Sequence, residues 1–165
     1  MNNQVLKILL PTDFSVLSLH AIKQIINNNP TKVFEFTLAH GYHLSDSLTT
    51  LLFHSKHKIL QKLISEDFNN ATEFLKSKYE KQFKSISYEL LTSRNKSYIQ
   101  NYLKNRNFDH IYLLNGFDWK FNLNISYDIS EALTNSHIPT SIIDLQFTEE
   151  HQLYANNNVV DIFLI

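Results

Sequence analysis

The sequence predicts an α/β protein built on an open, five-stranded parallel sheet with helices on both faces. Three observations carry this. Short apolar runs bounded by turn residues alternate with stretches of three- and four-residue apolar spacing, in the order β-α-β-α-β-α-β-α-β. Right-handed crossovers leave few arrangements for such a chain other than a parallel sheet covered on both sides. The first run, Val5–Leu10, is apolar except for Lys7, as a strand buried on both faces requires.

Pro11 ends that run, and Thr12, Asp13 and Ser15 follow with side chains able to cap a helix. Val16–Asn27 reads as that helix: Phe14, Leu17, Ala21, Ile22 and Ile25 form one apolar stripe, and the cluster Asn27–Pro30 stops it. Val33–His40 is rich in β-branched and aromatic residues and reads as the second strand. Its polar Glu35 and Thr37 share one face, which suggests a position nearer an edge than the first strand. Gly41–Thr50 reads as a polar loop. Leu51–Phe83 keeps a helical stripe, with a break expected at Asp67-Phe68-Asn69-Asn70. Ser85–Leu91 alternates as a third strand, Ser93–Arg106 is a helix, and His110–Leu114 is a fourth strand leading into Asn115-Gly116. Phe117–Asn124 reads as a loop and residues from Ile125 or Ser126 to Asn135 as a helix. His137–Asp144 is a fifth strand, with Pro139 near its start, where proline is tolerated. Residues 1–148 therefore form one domain. Residues 149–165 are a tail whose end, Val159–Ile165, is strand-like and suited to pairing with a sheet edge in its own chain or a partner's.

Composition narrows the function classes. The formal net charge is −1, so no global field attracts nucleic acid or acidic lipid. The absence of cysteine excludes disulfides, thiolate catalysis and cysteine-ligated zinc. No apolar run approaches the roughly 20 residues of a membrane span. Met1-Asn2-Asn3-Gln4 lacks the basic and apolar regions of a signal peptide, so the expected location is the cytoplasm. With only Gly41 and Gly116, the chain is poor in the residue that lets backbone wrap phosphate.

Several residues are candidates for chemistry. Asp13 can contact a small ligand or cap the first helix. His40 and His43 flank Gly41 and could form an acid–base pair with Asp13; the plainer reading of His40 is a buried, hydrogen-bonded histidine at a strand end. His54 and His57 stand at metal-binding spacing, but no third ligand is evident, so no metal site is expected. Lys56, Lys58, Lys62, Lys76, Lys78, Lys81 and Lys84 are interleaved with acids and read as a solvated face. Phe117, Trp119 and Phe121 alternate in a stretch expected to be polar; they either fill a cleft from within or form an exposed patch. No nucleophile sits in a recognisable turn, so no catalytic residue is assigned.

The stretch Lys7-Ile8-Leu9-Leu10-Pro11-Thr12-Asp13-Phe14-Ser15, with Ser18 and Ala21, resembles the opening of universal stress proteins. Leu38-Ala39-His40 resembles the end of that family's second strand. Phe108-Asp109-His110-Ile111 leading to Gly116, then Ile138-Pro139, resembles its closing half. The likeness runs over residues 5–144. It implies a Rossmann-like, adenine nucleotide alpha hydrolase-like fold and a homodimer formed through the last strand, here with the tail. Many members bind ATP. On this chain the resemblance assigns the nucleotide positions to Pro11, Thr12, Asp13, His40, Gly41, Asn115 and Gly116, with Asp13 at the nucleoside and His40-Gly41 against the adenine.

The chain departs from the family at the phosphate loop, whose pattern is Gly-x2-Gly-x9-Gly-Ser/Thr. Trp119 stands three residues after Gly116, and the helix that should open with Gly-Ser opens around Tyr127-Asp128, two residues early. Trp119 would obstruct close backbone approach, and Asp118 and Asp128 would set negative charge beside polyphosphate. The reading that follows is a non-catalytic stress-response or signalling protein with a vestigial nucleotide site and no cofactor. The partners expected are a second copy of the chain or another protein, not nucleic acid or membrane. The alternatives are a regulatory protein that binds ATP or AMP, and a small hydrolase using Asp13 and His40.

Overall fold

The computed structural model describes residues 4–44 and 52–145, with side chains in the second span described from residue 55. The strand-like tail, most of the expected loop before residue 51 and the side chain of His54 lie outside the described residues.

The strands are β1 (Val5–Pro11), β2 (Val33–Tyr42), β3 (Phe83–Leu91), β4 (His110–Asn115), β5 (Ser126–Tyr127) and β6 (Thr140–Asp144). The helices are α1 (His20–Asn28, preceded by a 3-10 turn over Val16–Leu19), α2 (Leu52–Leu63), α3 (Glu66–Lys78), α4 (Lys96–Arg106) and α5 (Ser130–Thr134). The sheet order is β3-β2-β1-β4-β6, all parallel, with β5 attached antiparallel to the end of β2. The predicted fold class is the observed one.

Side-chain alternation along the strands divides the core. Ile8, Leu10, Phe34, Phe36 and Leu38 meet Leu19, Ile22 and Ile25 of the first helical segment and Phe68, Ala71 and Leu75 of α3. Leu9, Ala39, Ile111 and Leu113 meet Ile99 and Leu103 of α4 and Leu133 of α5 on the other side. Successive strand residues thus feed opposite layers. Burying each large aliphatic or aromatic side chain is worth roughly 2 kcal/mol, so both layers hold the sheet.

One expectation is met and two are corrected. β2 does lie nearer an edge than the central β1, with β3 alone outside it. Its polar positions find partners on β3, Glu35 with Lys84 at 2.8 Å and Thr37 with Ser87 at 3.1 Å. On β3, at that border of the sheet, Glu89 pairs with Lys56 of α2 and Arg106 of α4 and so ties one helix from each layer to the border. The long helix breaks at Ile64-Ser65, not at residues 67–70. Ser65 accepts a hydrogen bond from the Phe68 N–H at 3.1 Å, and Glu66 and Asp67 favour the positive end of the new helix. The polar cluster taken for a break is the first turn of α3.

The second correction bears on the site. The helix expected from residue 125 is reduced to α5. Ser126 and Tyr127 instead pair with Tyr42 and Gly41, and the Asp128 carboxylate accepts from the Ser130 N–H at 2.8 Å to start the short helix. Tertiary pairing prevails over the helical spacing at its start, while Ile129 and Leu133 are buried as expected.

Candidate functional site

β1 is flanked by β2 on one side and β4 on the other, so the sheet reverses direction there. In open α/β sheets the crevice outside the carboxyl ends of the strands at such a point is where ligands sit. Every residue that the resemblance assigned lies at this end: Pro11 closing β1 with Thr12 and Asp13 after it, His40 and Gly41 in β2, Asn115 closing β4 with Gly116 after it.

The β1 wall is built by local capping. The Thr12 hydroxyl accepts from the Phe14 N–H at 2.9 Å and meets the Ser18 hydroxyl at 3.0 Å. Ser15, not Asp13, caps the helical segment, accepting from the Ser18 N–H. One Asp13 oxygen accepts from the Ser15 N–H at 2.9 Å. Between them Phe14 takes φ 60, a conformation strained for a bulky residue. Its ring is held by contacts with His40, Phe68 and Tyr88 at 5.1–5.8 Å between centroids.

The β4 wall is built from far away in sequence. Gly116 turns the chain at φ 70, after which residues 117–127 fold across the crevice. The Lys120 N–H donates to the second Asp13 oxygen at 2.9 Å. The His43 N–H donates to the Ile125 carbonyl at 2.7 Å. Phe117, Trp119 and Phe121 stack in series, with Phe121 edge-on to His40 at 5.7 Å. All three are partly buried, and Phe117 and Trp119 pack against the core, so the alternating aromatics line the cleft from within. Tyr127 lies over Gly41: a Cβ there would come within 2.3 Å of the Tyr127 carbonyl and 2.6 Å of its ring. The Tyr127 hydroxyl donates to the Leu91 carbonyl, and the Arg94 guanidinium rests 4.2 Å from its ring.

His40 joins the two walls. It is 1% exposed, with Nδ1 2.8 Å from the Thr12 carbonyl and Nε2 2.8 Å from the Ser126 hydroxyl. A carbonyl only accepts, so Nδ1 carries the proton. In the neutral ring Nε2 therefore accepts from Ser126. Burial lowers the His40 pKa below the ordinary histidine value; the Thr12 carbonyl and the Asp13 charge oppose this without reversing it. Both ring nitrogens are taken by groups other than Asp13, so the structure does not form the Asp13–His40 hydrogen-bonded pair. His43 is exposed. Among the described residues no group of three or more potential metal ligands comes together. Asn115 and Gly116 stay exposed at the rim, where the Asn115 amide donates to Asp144.

One participant escaped sequence reading: Ser126 carried no signal, lying in a stretch whose spacing suggested a helix. Gly41 was read as a ligand position, whereas the structure sets it against Tyr127; a glycine inside a strand marks such close backbone approach.

The fold and the crevice define the class: a doubly wound α/β protein with its pocket region at the reversal point of the sheet. No protein-family model and no curated protein matches the chain. Similar solved structures exist. Hypothetical protein PH0823 is 19% identical, covering 87% of this chain and 99% of its own, at a TM-score of 0.51. Hypothetical protein MJ0577 is 21% identical, covering 87% and 98%, at 0.50. A universal stress protein family protein from Arabidopsis thaliana with AMP bound is 13% identical, covering 86% and 92%, at 0.47. At these identities the likeness to the first two establishes the fold.

Proposed function

We propose that the chain is a protein of universal stress type that acts by binding a protein partner and does not hold ATP in the family manner. The observation that carries this is the occupancy of the crevice by the chain itself. The Asp13 carboxylate, the residue the resemblance sets at the nucleoside, accepts from the Lys120 N–H, and Tyr127 covers Gly41. Asp13 is 3% exposed. Entry of an adenosine group would require breaking these contacts, each buried hydrogen bond to a charged group contributing roughly 2 kcal/mol. Calorimetric titration with ATP is expected to give no binding at micromolar concentration, and micromolar affinity overturns the reading.

One feature favours a second reading, a regulatory binder of ATP or AMP. Gly116 keeps its left-handed turn and, with Asn115, stays exposed at the rim, so phosphate could meet free backbone there. In that case AMP and ATP both give heat in the same titration without release of product.

We also propose that the chain forms a homodimer through the β6 border. Among the described residues β6 pairs only with β4, and Ile142 on it is 68% exposed; such an edge needs cover. Ile142→Asp, and separately removal of residues 156–165, should shift sedimentation towards the monomer; an unchanged profile for both overturns the proposal. No helix among the described residues is long and apolar enough to cross a membrane, and the cytoplasm remains the location proposed.

A further inference from the structure

Ser126 and His40 are placed as a nucleophile and its base. The Ser126 hydroxyl donates to Nε2 at 2.8 Å, and the ring is oriented by its Nδ1–H bond to the Thr12 carbonyl at 2.8 Å. A nucleophile within hydrogen-bond reach of a base that a third group orients is the arrangement that activates a hydroxyl. His40 cannot turn away, because Phe14 and Phe121 pack against its ring. Ser126 also reaches the surface. It lines a cavity of about 280 Å³ with His43, Arg94, Asn124, Ile125 and Tyr127. Among the described residues Arg94 has no carboxylate partner; it stacks on Tyr127 and brings positive charge to the cavity.

We infer that Ser126 is a His40-activated acyl acceptor, open to activated acyl donors with an anionic leaving group, such as acyl phosphates. The Ser126 oxygen attacks the carbonyl carbon of the donor. Its bond to that carbon forms as the bond to the leaving phosphate oxygen breaks. The serine proton passes to Nε2 and then to the departing phosphate, so the ring ends neutral. The product is an acyl-serine, and no oxidant or reductant is involved. Arg94 attracts the phosphate. The charged group facing His40 is the Asp13 carboxylate, which steadies the imidazolium that forms; its other neighbours, the Thr12 carbonyl, Ser126 and the two phenyl rings, carry no charge. The inference does not depend on how the nucleotide crevice is used, because donors approach through the Arg94 cavity.

The test is to incubate the full chain with acetyl phosphate, and separately with p-nitrophenyl acetate, and to map the product by mass spectrometry. One acetyl group on Ser126 is expected, forming more slowly as pH falls and His40 takes up a proton. Ser126→Ala should abolish it, and His40→Gln should slow it about 100-fold, the lower end of what a general base contributes. Arg94→Ala should slow reaction with acetyl phosphate about tenfold more than with the neutral ester, the size of one charge-assisted contact. Acetylation confined to lysines, at the same rate in Ser126→Ala, overturns the inference. Because His40→Gln can unfold the chain, Ser126→Cys supplies a second measurement. It is then the only thiol in a cysteine-free sequence. Its alkylation by iodoacetamide should follow a pKa below the ordinary value of about 8.5, and an ordinary value again overturns the inference.

Discussion

The two walls of the crevice differ in how they are made. The β1 wall holds itself: Thr12, Asp13, Ser15 and Ser18 bond to neighbours no more than six residues away. The β4 wall has less internal support, the contacts of Phe117, Trp119 and Phe121 and a bond from the Ser126 N–H to the Leu123 carbonyl. Its loop is fixed by bonds across 107 residues to Asp13 and across 86 to His40, and by the close fit of Tyr127 on Gly41. A wall made locally forms wherever its sequence occurs. A wall made at a distance exists only if the sheet first brings β1, β2 and β4 together. The second wall is therefore the part that mutation should detach, leaving the first in place.

The strongest way to separate them is Gly41→Val. The added carbons collide with the Tyr127 backbone, so β5 must leave β2, and stability should fall by about 3 kcal/mol, read as a lower urea midpoint. Trp119 emission should move to the red in the same protein as the loop lifts. Retention of a blue, poorly quenched signal would mean the loop is held by its aromatics alone.

Asp13→Ala touches both walls and should cost about as much, roughly 3 kcal/mol, since two N–H groups lose a charged acceptor worth about 1.5 kcal/mol or more each. Loss of α1 helicity together with Trp119 exposure would show that the walls are coupled; Trp119 exposure alone would show that they are not.

Acid should act on the contact between them. The folded-state pKa of His40 is depressed by burial, so below the ordinary value near 6.5 the unfolded chain takes up a proton that the native chain resists. Stability is fully present above that pH. It falls by at most about 1.4 kcal/mol per pH unit as pH drops towards the folded pKa, and this contribution then stops changing. His110, part-buried and shifted the same way by desolvation, adds a smaller slope of the same sign. Urea titrations from pH 7.5 to roughly pH 5 on the parent chain and His40→Gln should show the steeper decline only in the parent.

The smallest expected effect is at the other glycine. Gly116 takes φ 70, so Gly116→Ala meets backbone strain of about 1 kcal/mol. A loss as large as that of Gly41→Val would mean the turn, rather than the fit on Tyr127, fixes the loop.

The likeness of the opening half to its expectation follows from the same distinction. Val5–Pro11, the caps after it and the stripe of α1 are short-range patterns, and they were legible. So were α4 and β4. The errors fell where distant partners decide. The spacing of Ile125, Ile129, Ala132 and Leu133 suits a helix, yet β2 offers Ser126 and Tyr127 hydrogen bonds that a helix there would forgo. Glu35 and Thr37 rightly set β2 nearer an edge than β1, but which groups on β3 would satisfy them was invisible in the local sequence. Asp13 was readable as a cap or a ligand contact; only the loop folding over it reveals the Lys120 bond.

By itself the sequence determined the alternation of strands and helices, hence the parallel sheet and the position of its crevice, because these depend on periodicity and on chirality common to all chains. Tertiary structure decided what stands in that crevice. The Ser126–His40 contact, the fit of Tyr127 on Gly41 and the bond from Lys120 to Asp13 join residues tens of positions apart, and no local pattern encodes which distant group will satisfy a buried polar atom.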